Sequence, residues 1–275
     1  MTENTTFEVL GCKQCRDGVG LDMDFTMAFQ PIVDVARREI FGYEALVRGM
    51  DNEPAPVILA RVNEQTRYPF DQACRVKAID LAHSLGLKGV LSINFLPNAV
   101  YRPETCIRAT LQAAHETGFP TNRIMFEVTE GEKIEDHAHL RNIFEEYKRQ
   151  GFITAIDDFG AGHSGLNLLA DFQPDIIKLD MALTRNVDKD RIRRSIVSGI
   201  LSVCREISIK VIAEGVETRE ECLALRDEGV ELFQGYLFAR PGFRMLPVVP
   251  AEVWPLVDSK RAADRRSKRD QSKRH

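Results

Sequence analysis

Two adjacent acids, Asp157 and Asp158, stand where an apolar stretch over residues 152–156 ends and a Gly-rich turn begins. Neighbouring carboxylates repel each other, so both stay ionised at low cost only when a cation lies between them. Asp and Gly are also ordinary turn residues, and a solvated turn is the structural explanation of the same pattern. The pair therefore indicates either a metal site or an exposed turn.

Six other short apolar segments end on polar or charged residues in the same way. These residues are Glu44 and Arg48, Asn94, Glu127 and Glu130, Lys178 and Asp180, Glu214 and Glu217, and Gln234. Each has an ordinary explanation by itself: Asn94 forms turns, and Lys178 can pair with Asp180. The recurrence favours one shared site over seven coincidences. Oxygen ligands without His or Cys among them favour Mg²⁺ or Mn²⁺ over Zn²⁺.

The segments between these apolar runs have helical periodicity. They lie at residues 69–86, 103–117, 136–150, 189–206 and 218–228. Strands that alternate with helices predict βα units and a parallel sheet. Acids at the ends of many strands, and not at one switch point, favour an α/β fold of the (β/α)8 TIM-barrel type over a doubly wound sheet.

A series of motifs follows a fixed order along the chain. The segment FGYEALVRG is preceded by FQPIVD and followed by SINFLP, FEVTE, AIDDFGAG, PDIIKLD, VIAEGVET and FQGYLFARP. In order and spacing these motifs resemble those of the EAL domains, bacterial phosphodiesterases of the second messenger cyclic di-GMP. The resemblance covers residues 29–241, which is most of the chain. It implies hydrolysis of one phosphodiester bond of cyclic di-GMP, which yields linear pGpG.

The resemblance also implies two metal ions, Mg²⁺ or Mn²⁺, in the active site. The ligands of the first ion would be Glu44, Asn94, Glu127 and Asp157. Asp157 would bridge to a second ion held also by Asp158, with Glu214 as a catalytic residue that completes this site directly or through water. Two cations suit a phosphodiester, because they neutralise its charge, lower the pKa of bound water and stabilise the leaving oxygen.

Further roles are implied for residues around the metals. Lys178 would help to activate the attacking water, and Arg48 would contact a substrate phosphate. Glu130 would hold the loop after Asp158 in its active arrangement. Glu217 and Gln234 would lie in the outer shell of the site or against the substrate.

The loop after Asp158 departs from the family's common DDFGTGYSS at Ala161, His163 and Gly165. The change to Ala161 removes a hydroxyl group that could brace the loop. His163 could make the activity pH-sensitive, since an unperturbed His has a pKa of about 6.5. The favoured interpretation is that His163 is only a loop residue with an equivalent hydrogen bond. None of the implied metal ligands is missing.

Length and charge predict three segments. A chain of 275 residues fits one barrel, predicted at residues 23–250, with an N-terminal extension at 1–22 and a tail at 251–275. Residues 259–275 contain eight Lys or Arg and two Asp, a net charge of +6, whereas the whole chain has −4. We expect a disordered tail that aids solubility, although contact with nucleic acid or an anionic membrane is the alternative. A nucleic-acid substrate is not expected.

Six cysteines do not predict a disulfide scaffold. Cys12 and Cys15 have the spacing of a zinc knuckle, but no second close pair follows them, so zinc is not expected there. The absence of a long apolar run or a signal pattern predicts a cytoplasmic protein without stable membrane insertion.

Three interpretations of function stay open on sequence grounds. The first is an active phosphodiesterase, for which the resemblance implies a homodimer with its interface near the loop after Asp158. The second is a receptor that binds cyclic di-GMP without hydrolysing it. The third is an interaction module that uses the barrel as a scaffold. A regulator acting in trans is compatible with each of them.

Overall fold

The computed structural model describes residues 21, 23–130, 137–162 and 165–258. Cys12, Cys15 and His163 lie outside these ranges, as do most of the predicted N-terminal extension and residues 259–275 of the predicted tail. Their expected roles therefore stay predictions.

Eight strands close into a barrel surrounded by helices. The strands are β1 Phe25–Asp34, β2 Glu39–Gly49, β3 Val90–Asn94, β4 Ile124–Thr129, β5 Ile153–Phe159, β6 Ile176–Leu179, β7 Lys210–Ala213 and β8 Leu232–Gln234. Strands β2 to β8 lie side by side in chain order, each parallel to the next, and β1 pairs with both β8 and β2. A short strand β9, Gly242–Phe243, adds to β1. The predicted barrel is confirmed.

Strand β1 departs from the all-parallel (β/α)8 pattern, because it runs antiparallel to both of its neighbours. A tight turn and not a helix joins it to β2. In this turn Asp34 Oδ1 accepts hydrogen bonds from the N–H groups of Ala36 and Arg37, both at 2.9 Å. Arg38 completes the reversal with a left-handed φ of 58°. A hairpin of this kind requires antiparallel strands.

The helices lie outside the barrel. They are α1 Ala55–Leu59, α2 Arg67–Ser84, α3 Pro103–Cys106, α4 Arg108–Thr117, α5 His137–Arg149, α6 Gly165–Asp171, α7 Met181–Thr184, α8 Arg191–Glu206, α9 Arg219–Asp227 and α10 Val253–Leu256. The five helical stretches predicted from periodicity correspond to α2, to α3 with α4, to α5, to α8 and to α9. The short helices α6 and α7 lie where no helix was predicted. None of the helices in the described ranges is long and apolar enough to span a membrane.

The apolar core has an inner and an outer part. The inner part lies inside the barrel, with the partly buried Phe41 of β2 and Ile153 of β5 packed against seven buried residues: Ile32, Val90, Met125, Ala155, Ile176, Ile212 and Leu232. The outer part fills the space between strands and helices. It includes Val253 and Val257, which are 7% and 0% exposed, so ordered packing extends beyond the predicted boundary at residue 250.

Candidate metal centre

The carboxyl ends of the parallel strands bring the predicted site residues together. In the ladder between β3 and β4, Asn94 is the partner of Glu127. In the hairpin ladder of β1 and β2, Gln30 is the partner of Glu44. Since parallel strands end at one edge of the sheet, side chains that are distant in the sequence converge at one mouth of the barrel.

A bulge at the end of β5 turns two adjacent acids toward the same pocket. The pairing of β5 with β6 shifts register between Ile156 and Phe159, and Asp158 has a left-handed φ of 53°. Neighbouring strand residues normally point to opposite faces, whereas here both Asp157 and Asp158 line the pocket. The Asp158 N–H donates to Asp157 Oδ1 at 2.9 Å, which fixes the pair locally.

Lys178 on β6 is fully buried among acids. Its Nζ lies 2.7 Å from Glu214 Oε1, 3.0 Å from Glu127 Oε2 and from Asp157 Oδ1, and 3.4 Å from Glu44 Oε2. Burial alone would lower the pKa of Lys178, but the carboxylates around it raise that pKa well above its ordinary value. Lys178 is therefore an ammonium ion that neutralises part of the negative charge of the site.

The acids around Lys178 form two clusters that share Asp157. Glu44, Glu127 and Asp157 make one cluster, and Asp157, Asp158 and Glu214 make the other. Within each cluster the ligand oxygen atoms lie within 4.8 Å of one another. This donor set of carboxylates suits hard divalent cations.

Three observations show that one ammonium ion does not balance these acids. The pKa of Glu127 is raised to about 8, chiefly by burial and further by the negative charges of Glu44 and Asp157, although the charge of Lys178 opposes the change. Glu127 Oε1 is buried without a hydrogen-bond partner. Burial and then the charge of Asp157 raise the pKa of Asp158 to about 6. Cations at the two clusters would relieve both the repulsion and the unpaired oxygen, so the residues fit metal ions.

Asn94 and Gln234 hold Glu44 from two sides. Asn94 Nδ2 donates to Glu44 Oε1 at 2.9 Å, and Gln234 Nε2 donates to Glu44 Oε2 at 2.7 Å. Gln234 also donates to Gln30 Oε1 at 3.3 Å, and Gln30 Nε2 donates to the backbone oxygen of Ala239 at 3.2 Å. Glu44 is thus set in place by amide side chains. Gln30 was not predicted as a site residue, although it stands in the motif FQPIVD.

Glu130 binds the loop after Asp158 at two points. Its carboxylate accepts hydrogen bonds from the N–H groups of Gly160 and Gly165, both at 2.7 Å. A Cβ atom at position 165 would lie 2.8 Å from the Phe159 ring and 3.0 Å from Glu130 Oε2. The departure from the family's loop sequence at Gly165 therefore agrees with close packing against Glu130.

A pocket of about 330 Å³ opens above the acids. Its lining includes Glu44, Asp157, Asp158, Glu214, Glu217 and Gln234 among the predicted residues, together with Gln30, Asp180, Met181, Arg185 and Tyr236. Glu217 pairs with Arg185 at 2.9 Å, so it lies at the rim and away from Lys178. Arg48 is not part of the lining; its Nη1 donates to the backbone oxygen of Val47 at 2.8 Å. Arg185 and Tyr236 had no sequence signal beyond their proximity to predicted residues.

The motifs and the fold have counterparts in known proteins. The family model described as EAL domain matches residues 16–241. A crystal structure of a standalone versatile EAL protein from Vibrio cholerae, in its c-di-GMP bound form, is 58% identical with a TM-score of 0.83, and the match covers 85% of this chain and 99% of that one. The manganese/cy-diGMP complex of Klebsiella pneumoniae BlrP1 is 35% identical with a TM-score of 0.77, over 83% of this chain and 58% of that one.

Curated relatives match a similar part of the chain. The blue light- and temperature-regulated antirepressor BluF of Escherichia coli is 34% identical over 229 residues, which is 83% of this chain and 56% of the relative. Other relatives from Escherichia coli and Pseudomonas aeruginosa are named cyclic di-GMP phosphodiesterases. The chain spans about half the length of BluF and less of these other relatives.

Proposed function

Because this chain belongs to the EAL domain family, we propose that it is a metal-dependent phosphodiesterase that hydrolyses cyclic di-GMP to linear pGpG. The observation that carries the proposal is the pair of carboxylate clusters that share Asp157 beneath an open pocket. The solved structures of related EAL proteins with c-di-GMP, one of them with manganese, support the substrate and the kind of metal.

Each metal position has its own set of ligands in the proposal. Glu44, Asn94, Glu127 and Asp157 hold one Mg²⁺ or Mn²⁺ ion. Asp157, Asp158 and Glu214 hold the second. When bound, the two cations neutralise the phosphodiester, lower the pKa of bound water and stabilise the leaving oxygen.

The other side chains act on water and substrate. Lys178 orients the attacking water. Its Nζ lies 2.7 Å from Glu214 Oε1, so the ammonium group and the carboxylate are next to each other in the site. Gln30 and Gln234, which line the pocket, hold Glu44 in place beneath the substrate. Arg48, whose charge lies near Tyr236 and Glu44 at the pocket, meets a substrate phosphate. Glu217 acts at the rim through Arg185.

A homodimer and a cytoplasmic location complete the proposal. Support for the homodimer comes from an apolar stripe along α8 and just past its end, formed by the exposed residues Ile192, Ile196, Val203 and Ile207. Helix α7, which packs on α8, contacts the loop after Asp158: a Cβ atom at Gly160 would lie 2.3 Å from Leu183 Cδ1. Contacts between two copies at α8 would thus be close to the loop that Glu130 holds.

The second candidate function is a role without hydrolysis, either as a receptor that binds cyclic di-GMP or as an interaction module that does not bind the nucleotide. The name of the relative BluF, an antirepressor, favours it. The acid clusters with their unsatisfied Glu127 oxygen favour catalysis instead, because binding of cyclic di-GMP alone requires no such concentration of negative charge.

One experiment separates these functions. Purified protein is incubated with cyclic di-GMP and Mg²⁺ or Mn²⁺, and the nucleotides are resolved by chromatography, with Asp157→Asn and an EDTA-treated sample as controls; binding of cyclic di-GMP is measured in parallel by calorimetry. Conversion to pGpG by the unmodified protein alone supports the phosphodiesterase. Binding without conversion indicates a receptor, and the absence of both indicates an interaction module.

A further inference from the structure

A buried ion pair lies on the helix side of strands β3 and β4, outside the acid clusters. Asp71 and Arg75 belong to helix α2 and are 3% and 0% exposed. Arg75 Nη2 lies 2.6 Å from Asp71 Oδ2. Replacing a buried ion pair with apolar residues of similar volume is often neutral or stabilising. The stability of the fold is therefore a weak explanation for this pair.

Asp71 binds the chain just after strand β3. Its Oδ1 accepts a hydrogen bond from the backbone N–H of Leu96 at 2.9 Å. Leu96 is two residues beyond Asn94, and the intervening Phe95 donates its N–H to the Glu127 carbonyl oxygen at 3.0 Å. Asp71 therefore ties helix α2 to the segment that sets the end of β3 against β4.

Arg75 contacts the neighbours of the same two site residues. Its guanidinium carbon lies 5.4 Å from the ring centroid of Phe95 and 5.0 Å from that of Phe126. Phe95 follows Asn94, and Phe126 precedes Glu127. Because successive strand residues point to opposite faces, Phe126 points outward and Glu127 inward, and the two side chains share one stretch of backbone.

Arg75 keeps its charge in this position. Burial alone would lower its pKa, but Asp71 and Tyr147 raise the pKa of Arg75 above its ordinary value. Arg75 Nη1 donates to the Tyr147 hydroxyl at 2.7 Å. The guanidinium group is thus fixed on helix α2 by Asp71 and on helix α5 by Tyr147, and it stays available for cation–π contact with both Phe rings.

We propose that Asp71 and Arg75 are positioning residues, which hold Asn94 and Glu127 in the arrangement that binds the first metal ion. The inference rests on the proposed function, since it concerns the same site. Neither residue touches the substrate. Metal sites need their ligands held within roughly 0.5 Å of the productive geometry, and side chains behind the ligands provide that precision.

The test compares three variants of the network with a matched control. Asp71→Leu/Arg75→Met replaces the ion pair by apolar side chains. Tyr147→Phe keeps the ring and removes only the hydroxyl that Arg75 binds. Asp71→Asn keeps an acceptor for Leu96 N–H but loses the charge. The control is Val197→Ala, which removes buried volume on α8, away from β3 and β4. Urea unfolding, Mn²⁺ binding by calorimetry, and kcat and KM are measured for each.

We expect the double variant to bind Mn²⁺ about 10- to 100-fold more weakly, since residues behind metal ligands have effects of that size. Tyr147→Phe and Asp71→Asn should show smaller losses in the same direction. Val197→Ala should lose stability and keep its Mn²⁺ affinity. Unchanged Mn²⁺ affinity in the folded variants, whatever their stability, would overturn the proposal. If the double variant does not fold, the two single variants decide the matter.

A structural readout separates this inference from the proposed function. Asn94 Nδ2 and Glu44 Oε1 are 2.9 Å apart in the unmodified protein. Crystal structures of the Tyr147→Phe and Val197→Ala variants should show this hydrogen bond lost or lengthened in the first and kept in the second. An unmodified protein that binds Mn²⁺ but does not hydrolyse cyclic di-GMP would defeat the proposed function alone. Retention of the hydrogen bond in Tyr147→Phe would defeat the inference.

Discussion

Glu130 and Asp157 are joined directly, because the Glu130 N–H donates to the Asp157 carbonyl oxygen at 2.9 Å. The carboxylate of Glu130 meanwhile accepts hydrogen bonds from Gly160 and Gly165. A single residue therefore contacts the backbone of the acid shared by both clusters and the loop that follows it. A movement of this loop would therefore be felt at Asp157 through the side chain and the backbone of Glu130.

The first prediction concerns this link. Glu130→Ala removes both acceptors for the loop N–H groups, so we expect metal affinity and kcat to fall together, by about 10- to 100-fold, with the fold intact. Mn²⁺ calorimetry, steady-state kinetics and circular dichroism measure the three quantities. Glu145→Ala, an exposed position on α5, is the control and should change none of them. Full activity of Glu130→Ala would show that the loop does not depend on this carboxylate.

The second prediction concerns the metal ligands. Asp157→Asn and Glu44→Ala each remove negative charge where the cations would bind, and we expect turnover to fall by more than about 100-fold. The reduction in kcat is measured at saturating Mn²⁺ on protein shown to be folded. Asp227→Asn, an exposed acid at the end of α9, is the control. Near-normal hydrolysis by either variant would contradict the assignment of two metals.

The third prediction separates catalysis from binding at Lys178. We expect Lys178→Ala to hydrolyse cyclic di-GMP slowly while KM stays close to that of the unmodified protein. Removal of the ammonium ion leaves four acids unpaired, so the metal-free variant should lose about 3–5 kcal/mol of unfolding free energy. Urea unfolding with and without Mn²⁺ should show that the metal restores part of this loss. A large increase in KM with little change in kcat would contradict the role in water activation.

The fourth prediction is a pH dependence of metal binding. The pKa values of about 8 for Glu127 and about 6 for Asp158 are raised, so the folded protein holds protons that the unfolded chain releases above about pH 4. The metal-free protein should lose stability as the pH rises from about 4 to about 8. Bound metal must displace these protons, so its affinity rises over the same interval. At a fixed Mg²⁺ concentration the increase in Tm should be larger at pH 8 than at pH 6. Equal increases in Tm at the two pH values would contradict this prediction. The Glu127→Gln variant should show a smaller difference between the two increases.

The fifth prediction concerns the basic tail. A chain that ends at Asp258 lacks residues 259–275 and should keep its kcat and KM at low and at moderate salt. Asp258 is retained because it pairs with Arg38. A chain that ends at Pro250 is the contrasting variant, since it loses the buried Val253 and Val257 and should unfold at a lower temperature. A fall in kcat for the chain that ends at Asp258, at both salt concentrations, would show that the tail is part of the working enzyme.

The sequence predicts the barrel and the acids at its mouth because both depend on local patterns. Apolar runs that end on acids predict where strands stop, and parallel strands bring those ends together. The reversal of β1 was not predicted. In the sequence, the residues of the turn at Asp34 look like those of an ordinary loop, and the hydrogen bonds that Asp34 accepts are visible only in the structure.

Other parts of the site depend on tertiary contacts that have no signal in a local pattern. The left-handed conformation of Asp158 follows from the register of β5 against β6, which only the closed sheet defines. Arg75 stands in a helix that carries several other charged residues, and its contacts come from Phe95 just after β3, from β4 and from α5. Long-range pairs of this kind appear only when the elements are assembled.

The antiparallel direction of β1 places the two ends of the described part of the chain on opposite faces. Phe25, where β1 begins, is the partner of Gly49 at the carboxyl end of β2, the end at which the acids collect. Asp258 instead contacts Arg38 in the turn at the far end of the same two strands. Polypeptide fused before residue 23 would therefore emerge beside the mouth of the pocket, within reach of an entering nucleotide. A label or surface tether attached after residue 258 would leave from the opposite side of the barrel, which makes it the better point for immobilising the protein without obstructing access to the metals.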